Sequence, residues 1–422
     1  MLIEAVDGRI TRVEPEAPLD HGTRLVGVVL PGLVNAHSHA FHRLLRGRTH
    51  RQGGDFWVWR EHMYHHAATL TPETYEQVAT AVYMEMALAG VTTVGEFHYL
   101  HHQDGGVPYG DPNEMGHALI RAARAAGIRI ALLDAGYFAA GFDDAPLQPV
   151  QTRFSDGNAD RWLERVGDLH TRYQGDHDVA VGIAPHSVRA VPEAVMVSVA
   201  DWHDGTIPMH IHVSEQPAEN HACLEATTLT PTGLLDRVGL LGPATTVVHA
   251  THVTGADIDL IVRSGATVCY CATTERDLAD GLGPSSDLGE AGVPLAVGSD
   301  SHAVIDLFEE TRGIELHARL ATGRRGRFAP ETLLTAATTS GSRSLGFDGG
   351  GLEVGSPADF VVVDPETPRL SGILGDDGLA GVVFAATAAD VSDVFVAGRR
   401  VVNEGKHPGW VGARPALDSL VP

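Results

Sequence analysis

Lysine is almost missing from this chain: Lys406 is the only one in 422 residues. Cysteine is scarce as well. Cys223, Cys269 and Cys271 cannot build a disulfide framework, and a reducing cytoplasm is the natural setting. Cys269 and Cys271 share one face of an apolar strand and are expected to be small core residues rather than a zinc pair. Positive charge is in short supply, with 30 Lys and Arg against 54 Asp and Glu, a net charge of −24. That excess argues against nucleic acid and anionic membrane as partners, although local arginines can still hold a small anion. No apolar run approaches the ~20 residues that span a bilayer. Met1–Gly8 lacks a basic region followed by an apolar core, so no signal peptide is expected. No Gly-x-Gly-x-x-Gly turn follows an early strand, which disfavours an open doubly wound sheet.

Hydrophobic content of 43% and charged content of 20% are those of a soluble globular protein. From Pro31 to about residue 345, short apolar segments alternate with longer helical patterns. The segments are Gly32–His37, Thr92–Phe97, Ile128–Asp134, Val179–Ala184, Ile207–His212, Thr246–His249, Ala266–Cys271 and Leu295–Asp300. A helix is expected over Pro72–Ala89, with Thr71 as N-cap, Pro72 as first residue, Gly90 just past the end and an apolar stripe of Val78, Val82 and Met86. Eight strands separated by helices predict an α/β fold, a (β/α)8 barrel over residues 31–350. Residues 1–30 and 351–422 break the alternation. They carry a hairpin-like Ala5–Val13 with an Asp7-Gly8 turn and the β-rich runs Ala358–Asp364 and Val394–Val402, expected to form a small flanking β-sandwich domain.

The 24 histidines are many for this length. Most, such as His62, His65, His66 and His101, are expected on surfaces or in local hydrogen bonds. Others recur at strand ends, where a barrel of this kind gathers its active site. His37 and His39 close the first strand and, two residues apart, share a face. Glu96, His98 and Tyr99 close the second, His186 and Arg189 follow the fourth, His212 ends the fifth with Glu215 just beyond, His249 ends the sixth and Asp300 the eighth. Imidazole and carboxylate ligands suit a catalytic zinc or similar ion with one position open for water. By strand alternation His210 faces away from His212 and is read as packing, His252 as a loop residue, and His302 as a residue that orients Asp300 or a neighbouring loop. Glu96 can serve the site or bind loop amides, with nothing in the sequence to choose between them.

The chain resembles the amidohydrolase superfamily and, within it, the formimidoylglutamate deiminases. The resemblance rests on Pro31-Gly32 with His37-Ser38-His39-Ala40-Phe41, on Phe56-Trp57-Val58-Trp59-Arg60-Glu61-His62-Met63-Tyr64, and on Glu96-Phe97-His98-Tyr99-Leu100-His101-His102. It continues through His186-Ser187-Val188-Arg189, His210-Ile211-His212-Val213-Ser214-Glu215, Val248-His249-Ala250-Thr251-His252 and Gly298-Ser299-Asp300-Ser301-His302. It implies metal ligands at His37, His39, His212 and Asp300, an acid–base glutamate at Glu215, a second catalytic histidine at His249, and substrate contacts at Arg60, Tyr99, His186 and Arg189. Position 42 departs from the pattern: His42 stands where members of the family carry glutamine, and imidazole replaces one amide donor but not both amide functions.

Many relatives bridge two metals through a carboxylated lysine after the fourth strand; with Lys406 outside the barrel, one divalent ion, zinc by default, is the consistent reading. The implied reaction is hydrolysis of N-formimino-L-glutamate to N-formyl-L-glutamate and ammonia, in histidine degradation. The metal would supply hydroxide near neutral pH, Asp300 would take a proton from it, Glu215 would protonate the departing nitrogen, and His249 would stabilise charge or orient the nucleophile. A substrate with two carboxylates gives Arg60 and Arg189 a reason to face the pocket. The resemblance also implies a homodimer. The rival readings are a sister deaminase acting on a nucleobase or other amidine, and a non-catalytic barrel scaffold.

Overall fold

A computed structural model describes residues 1–15, 22–50, 56–142, 145–373, 375 and 377–420; the side chains of Phe56 and Trp57, part of the aromatic segment above, lie outside the described residues. Its centre is a sheet of eight parallel strands in sequential order. We number them β1 (Leu33–Ser38), β2 (Val91–His98), β3 (Arg129–Gly136), β4 (Val179–Pro185), β5 (Met209–Val213), β6 (Thr245–His249), β7 (Thr267–Tyr270) and β8 (Leu295–Val297). Every residue of β1, β2 and β3 is buried, as expected for strands covered on both faces. The barrel closes where β8 returns to β1: Asp300 N–H donates to His37 O at 3.0 Å, and His39 N–H donates to Asp300 O at 3.1 Å. Gly298 makes that approach possible, since a Cβ there would sit 2.7 Å from both Cβ and O of His37.

The strands start and end within about two residues of the expected positions, except at β8. There the apolar run ends at Val297, and Asp300 meets β1 through a single bridge with φ of 42°. The helix after the first loop spans Pro72–Leu88, capped by Thr71, whose side chain accepts from Thr74 N–H, with Pro72 in the first turn and Gly90 at φ 93° beyond the end. No helix among the described residues is long and apolar enough to cross a membrane.

The terminal segments form two antiparallel sheets. Val28–Pro31 pairs with Phe360–Val363, which pairs in turn with Val391–Val396 and then Arg399–Val402. Leu2–Val6 and Arg9–Glu14 make a separate hairpin whose turn residues Asp7 and Gly8 both have positive φ. Because Val28–Pro31 runs directly into β1, the small sheet anchors the chain just before the first histidine pair.

Behind β2 and β3, on the face away from the barrel axis, lies a buried polar network. Arg165 donates to Asp134 at 2.7 and 2.8 Å and to Asp156 at 2.9 Å through two of its nitrogens; Trp162 Nε1–H also reaches Asp134 at 2.9 Å, and His102 Nε2 lies 3.0 Å from Asp156. Burial alone would raise the Asp156 carboxyl, but His102 and Arg165 hold it well below its ordinary range. A carboxylate with a depressed folded pKa stabilises the fold above its unfolded pKa and loses that contribution as pH falls through the folded value. Asp156→Asn is therefore expected to cost about 1–3 kcal/mol at pH 7. The gap in thermal stability between the variant and the wild type should narrow only below pH ~4, as melting curves across pH would show.

Candidate active site

Alternation along β1 sends His37 and His39 to the barrel axis and Ser38 outward. Nε2 of His37 lies 3.1 Å from Nε2 of His212 on β5, and Asp300 Oδ1 lies 3.5 Å from Nε2 of His37 and 3.3 Å from Nε2 of His39. His39 Nδ1–H donates to Phe97 O at 2.9 Å and His212 Nδ1–H to His186 O at 3.0 Å, because a carbonyl can only accept. Both rings therefore turn a bare Nε2 lone pair toward the centre. Burial, reinforced for His37 and His212 by the neighbouring imidazoles, lowers the pKa of all three histidines, whereas the histidines around Asp300, the raised His249 among them, pull its carboxyl below the usual value against its burial. Lone pairs and a carboxylate facing one another at these distances repel unless a cation lies between them, so the donor set fits a divalent metal.

Beside this cluster, His249 is held between carboxylates. Its Nε2 lies 3.7 Å from Glu215 Oε1 and 3.9 Å from Asp300 Oδ2, and its Nδ1 lies 3.4 Å from Glu275 Oε1. Burial disfavours the imidazolium, but Glu215, Glu275 and Asp300 outweigh it and raise the His249 pKa far above its usual value. Burial raises Glu215, and the charges of Asp300 and Glu275 add to it. The backbone is strained here too: Ser214, His249, Ala250, Asp300 and His302 all have positive φ without being glycine. Strain of this kind persists where the surrounding structure holds functional groups in place.

The cavity over the cluster has a volume of about 60 Å3 and is bordered by His42, Arg60, Tyr99, His186 and Arg189. Arg189 makes no hydrogen bond or ion pair with another described residue, and it also borders, with Glu215, a wider cavity of about 600 Å3. His42 Nε2 lies 2.6 Å from Tyr99 OH, so the imidazole at the position where the resemblance implies glutamine is engaged with the tyrosine beside the histidine cluster. His186 stacks edgewise on Tyr137 at 4.8 Å. Arg60 lies over the ring of Tyr64, with its guanidinium carbon 5.5 Å from the centroid.

Other strand-end residues lie outside the cavity. Glu96 faces away from the barrel axis, where it accepts from Ser38 Oγ–H and Ala40 N–H, both at 2.7 Å, so it braces the histidine loop. His98 faces the same way and meets His101 at 3.3 Å, while His101 Nε2–H donates to Ala135 O. His302 binds Ser38 and Ser299 side chains and holds the loop rather than Asp300. His210 reaches Ser344 O and His252 reaches Asp280 O, both as packing and loop groups. Cys269 and Cys271 are buried in the barrel, and Cys271 comes close to His249 and Asp300.

Most residues missed from sequence follow β3 and β7, the two strands to which no functional side chain was assigned; Tyr64, in the helix Phe56–Ala67, is another. Tyr137 stands just beyond β3 and lines the cavity with Tyr64. Glu275 lies in the helix Ala272–Asp277 that follows β7, anchored by accepting from Cys271 N–H at 3.0 Å. A turn of helix separates it from the strand, which is why strand-end reasoning passed over it.

An "Amidohydrolase family" model matches residues 28–401. The chain is 38% identical over 416 residues to "Formimidoylglutamate deiminase" from Pseudomonas aeruginosa, covering 96% of this chain and 91% of the relative. Among solved structures it is similar to an amidohydrolase from Brucella melitensis, with a TM-score of 0.93 at 34% identity over 99% of this chain and 94% of the other. It is also similar to an adenosine deaminase from Xanthomonas campestris with bound zinc, with a TM-score of 0.84 at 27% identity over 99% and 93% of the two chains.

Proposed function

The chain belongs to the amidohydrolase family, and from that premise we propose that it is a metal-dependent deiminase converting N-formimino-L-glutamate to N-formyl-L-glutamate and ammonia, a step of histidine degradation. The observation that carries the substrate is Arg189: a guanidinium that makes no hydrogen bond or close ion pair among the described residues, is held charged by the nearby Glu219 and Glu215, and lines the cavity that holds the histidine cluster. Its hydrogen-bond donors are left over for a ligand, and a guanidinium with open donors in a cavity suits a carboxylate. Arg60 borders the same cavity, and two guanidiniums suit a substrate with two carboxylates.

In this reading His37, His39, His212 and Asp300 hold one divalent ion, zinc by preference. Lys406, the chain's only lysine, follows the strand Arg399–Val402 of the small antiparallel sheet, so no lysine stands on or directly after the fourth barrel strand to bridge a second. When bound, the ion supplies Lewis acidity and an activated water. Arg189 and Arg60 orient the substrate so that its formimino carbon faces the cluster. Asp300 Oδ2, 3.9 Å from His249 Nε2, is placed to take a proton from the attacking water. Glu215, whose burial raises its pKa, can carry a proton at Oε1 and deliver it to the departing nitrogen. His249, with Asp300 Oδ2 3.9 Å from its Nε2 and Glu275 Oε1 3.4 Å from its Nδ1, can donate from Nε2 to the oxygen on which charge develops. Cytoplasmic location belongs to the same reading and rests on the three buried free thiols.

The test is ammonia release by the zinc-loaded protein from N-formimino-L-glutamate, set beside adenosine, guanine and cytosine. Turnover of the first alone is expected, with loss of activity on chelation and recovery on adding zinc. Faster turnover of a nucleobase or nucleoside would move the chain to the sister deaminases. Full activity after the metal is stripped would overturn the metal-dependent mechanism.

A further inference from the structure

Two tyrosines that line the cavity form a hydrogen-bonded unit with a glutamine. Gln151, buried in the short 3-10 turn Pro149–Phe154, has its amide group between two phenols, with Nε2 2.9 Å from Tyr64 OH and 2.9 Å from Tyr137 OH. The orientation of this amide is fixed by a third contact. Gln148 N–H lies 2.8 Å from the other terminal atom of Gln151, and a backbone N–H can only donate, so that atom is the carbonyl oxygen. The amide nitrogen then has two hydrogens and two phenol oxygens to give them to. Each phenol oxygen is an acceptor in this unit, and its own hydrogen must be donated elsewhere. Among the described residues neither Tyr64 nor Tyr137 has an acceptor for it, and both line the cavity that Arg60 and Arg189 border. Burial, with Tyr137 adding to it, raises the Tyr64 hydroxyl above its usual value, so the proton stays on the oxygen at any working pH.

We infer that Gln151 is a positioning residue that locks Tyr64 and Tyr137 as hydrogen-bond donors into the cavity, where they join Arg189 in selecting a substrate carboxylate. Two hydroxyls that must donate, beside a guanidinium that makes no hydrogen bond among the described residues, match a group that only accepts. A carboxylate does so; a ring amine or exocyclic amino group would meet these donors with donors of its own. This inference rests on the deiminase reading for the identity of the substrate, but the donor pair itself follows from the amide geometry alone. The side chain of Gln151 bonds to Gln148 N–H and the two phenols, not to the histidine cluster or Glu215, and so acts through the phenols.

Gln151→Glu tests it with nearly the same shape. A carboxylate at this position accepts from both phenols, so their hydrogens turn away from the cavity. Binding of glutarate, a dicarboxylate that cannot react, is measured by calorimetry on the zinc-loaded wild type and variant, beside steady-state kinetics with N-formimino-L-glutamate. Glutarate affinity is expected to fall about tenfold or more, from hydrogen bonds to a charged group lost. KM should rise by a similar factor while kcat stays within about threefold, since the reacting end is untouched. Tyr64→Phe and Tyr137→Phe should each weaken glutarate in the wild type and do nothing further in Gln151→Glu, a non-additivity that general loosening of the wall does not produce. Equal glutarate affinity in Gln151→Glu and wild type would overturn the inference, as would tyrosine effects of the same size in both backgrounds. If Gln151→Glu melts far below the wild type, Tyr137→Phe alone decides: unchanged glutarate binding rejects the donor role. A wild type that binds glutarate in this Gln151-dependent way but releases no ammonia from N-formimino-L-glutamate would refute the substrate reading and leave the carboxylate subsite standing.

Discussion

Glu215→Gln is expected to lower kcat for ammonia release by about a hundredfold to ten-thousandfold while leaving metal content unchanged, the range for loss of a positioned proton donor or acceptor. Glutamine keeps the volume of the side chain and its reach toward His249 Nε2, 3.7 Å away in the wild type, but cannot hold or release the proton. Glu215 lies beside the ligand cluster rather than within it, so a zinc-to-protein ratio equal to that of the wild type separates loss of chemistry from loss of metal. Stability should hold or rise slightly. Burial of this carboxylate, close to Asp300 and Glu275, raises its pKa, which means the ionised form is strained in the folded protein. Steady-state kinetics, metal analysis and a melting curve on the same preparation check all three parts. Activity within tenfold of the wild type would remove Glu215 from the proton-transfer role.

Arg189→Met should act on the other half of the reaction. Removing a bidentate charge-assisted contact is expected to raise KM for the dianionic substrate by about tenfold to a hundredfold, from ~1.5–3 kcal/mol of lost interaction. The effect on kcat should be smaller, because the guanidinium binds substrate and transition state alike. A structural arginine would give the opposite pattern: unchanged kinetics and a lower melting temperature. Arg189 makes no hydrogen bond or close ion pair among the described residues, and only the more distant charges of Glu219 and Glu215 favour it, so the variant should melt within a few degrees of the wild type. A monoanionic analogue, with one carboxylate amidated, should lose less of its kcat/KM in the variant than the full substrate does.

The architecture was legible because parallel barrel strands are buried on both faces and read as short apolar runs, each followed by polar residues at the end that faces the site. His37, His39, His212, His249 and Asp300 could be named from that pattern, and the structure brings them to one point. Strand alternation also separated His212 from His210. It could have placed Glu96 and His98 outside the cavity as well, since both differ from the inward Phe97 by one step. The eighth strand was overextended because its apolar run leads smoothly to Asp300, whereas the chain leaves the sheet after Val297 and turns through a positive φ to present the carboxylate. Glu275, Tyr64, Tyr137 and Gln151 carried no such signal. They act through pairings across 14 to 87 residues of sequence, or 26 in the case of Glu275 and His249, and only the packed chain shows which partners meet. The His42 substitution was visible in sequence, but its partner Tyr99 was not.

The most direct test of a deiminase is which carbon–nitrogen bond breaks. Incubating zinc-loaded protein with N-formimino-L-glutamate and following the products by proton NMR separates the outcomes. The expected result is N-formyl-L-glutamate and ammonium in equal amounts, with the bond to the glutamate nitrogen intact. Glutamate with formamide, or no turnover at all, would contradict it.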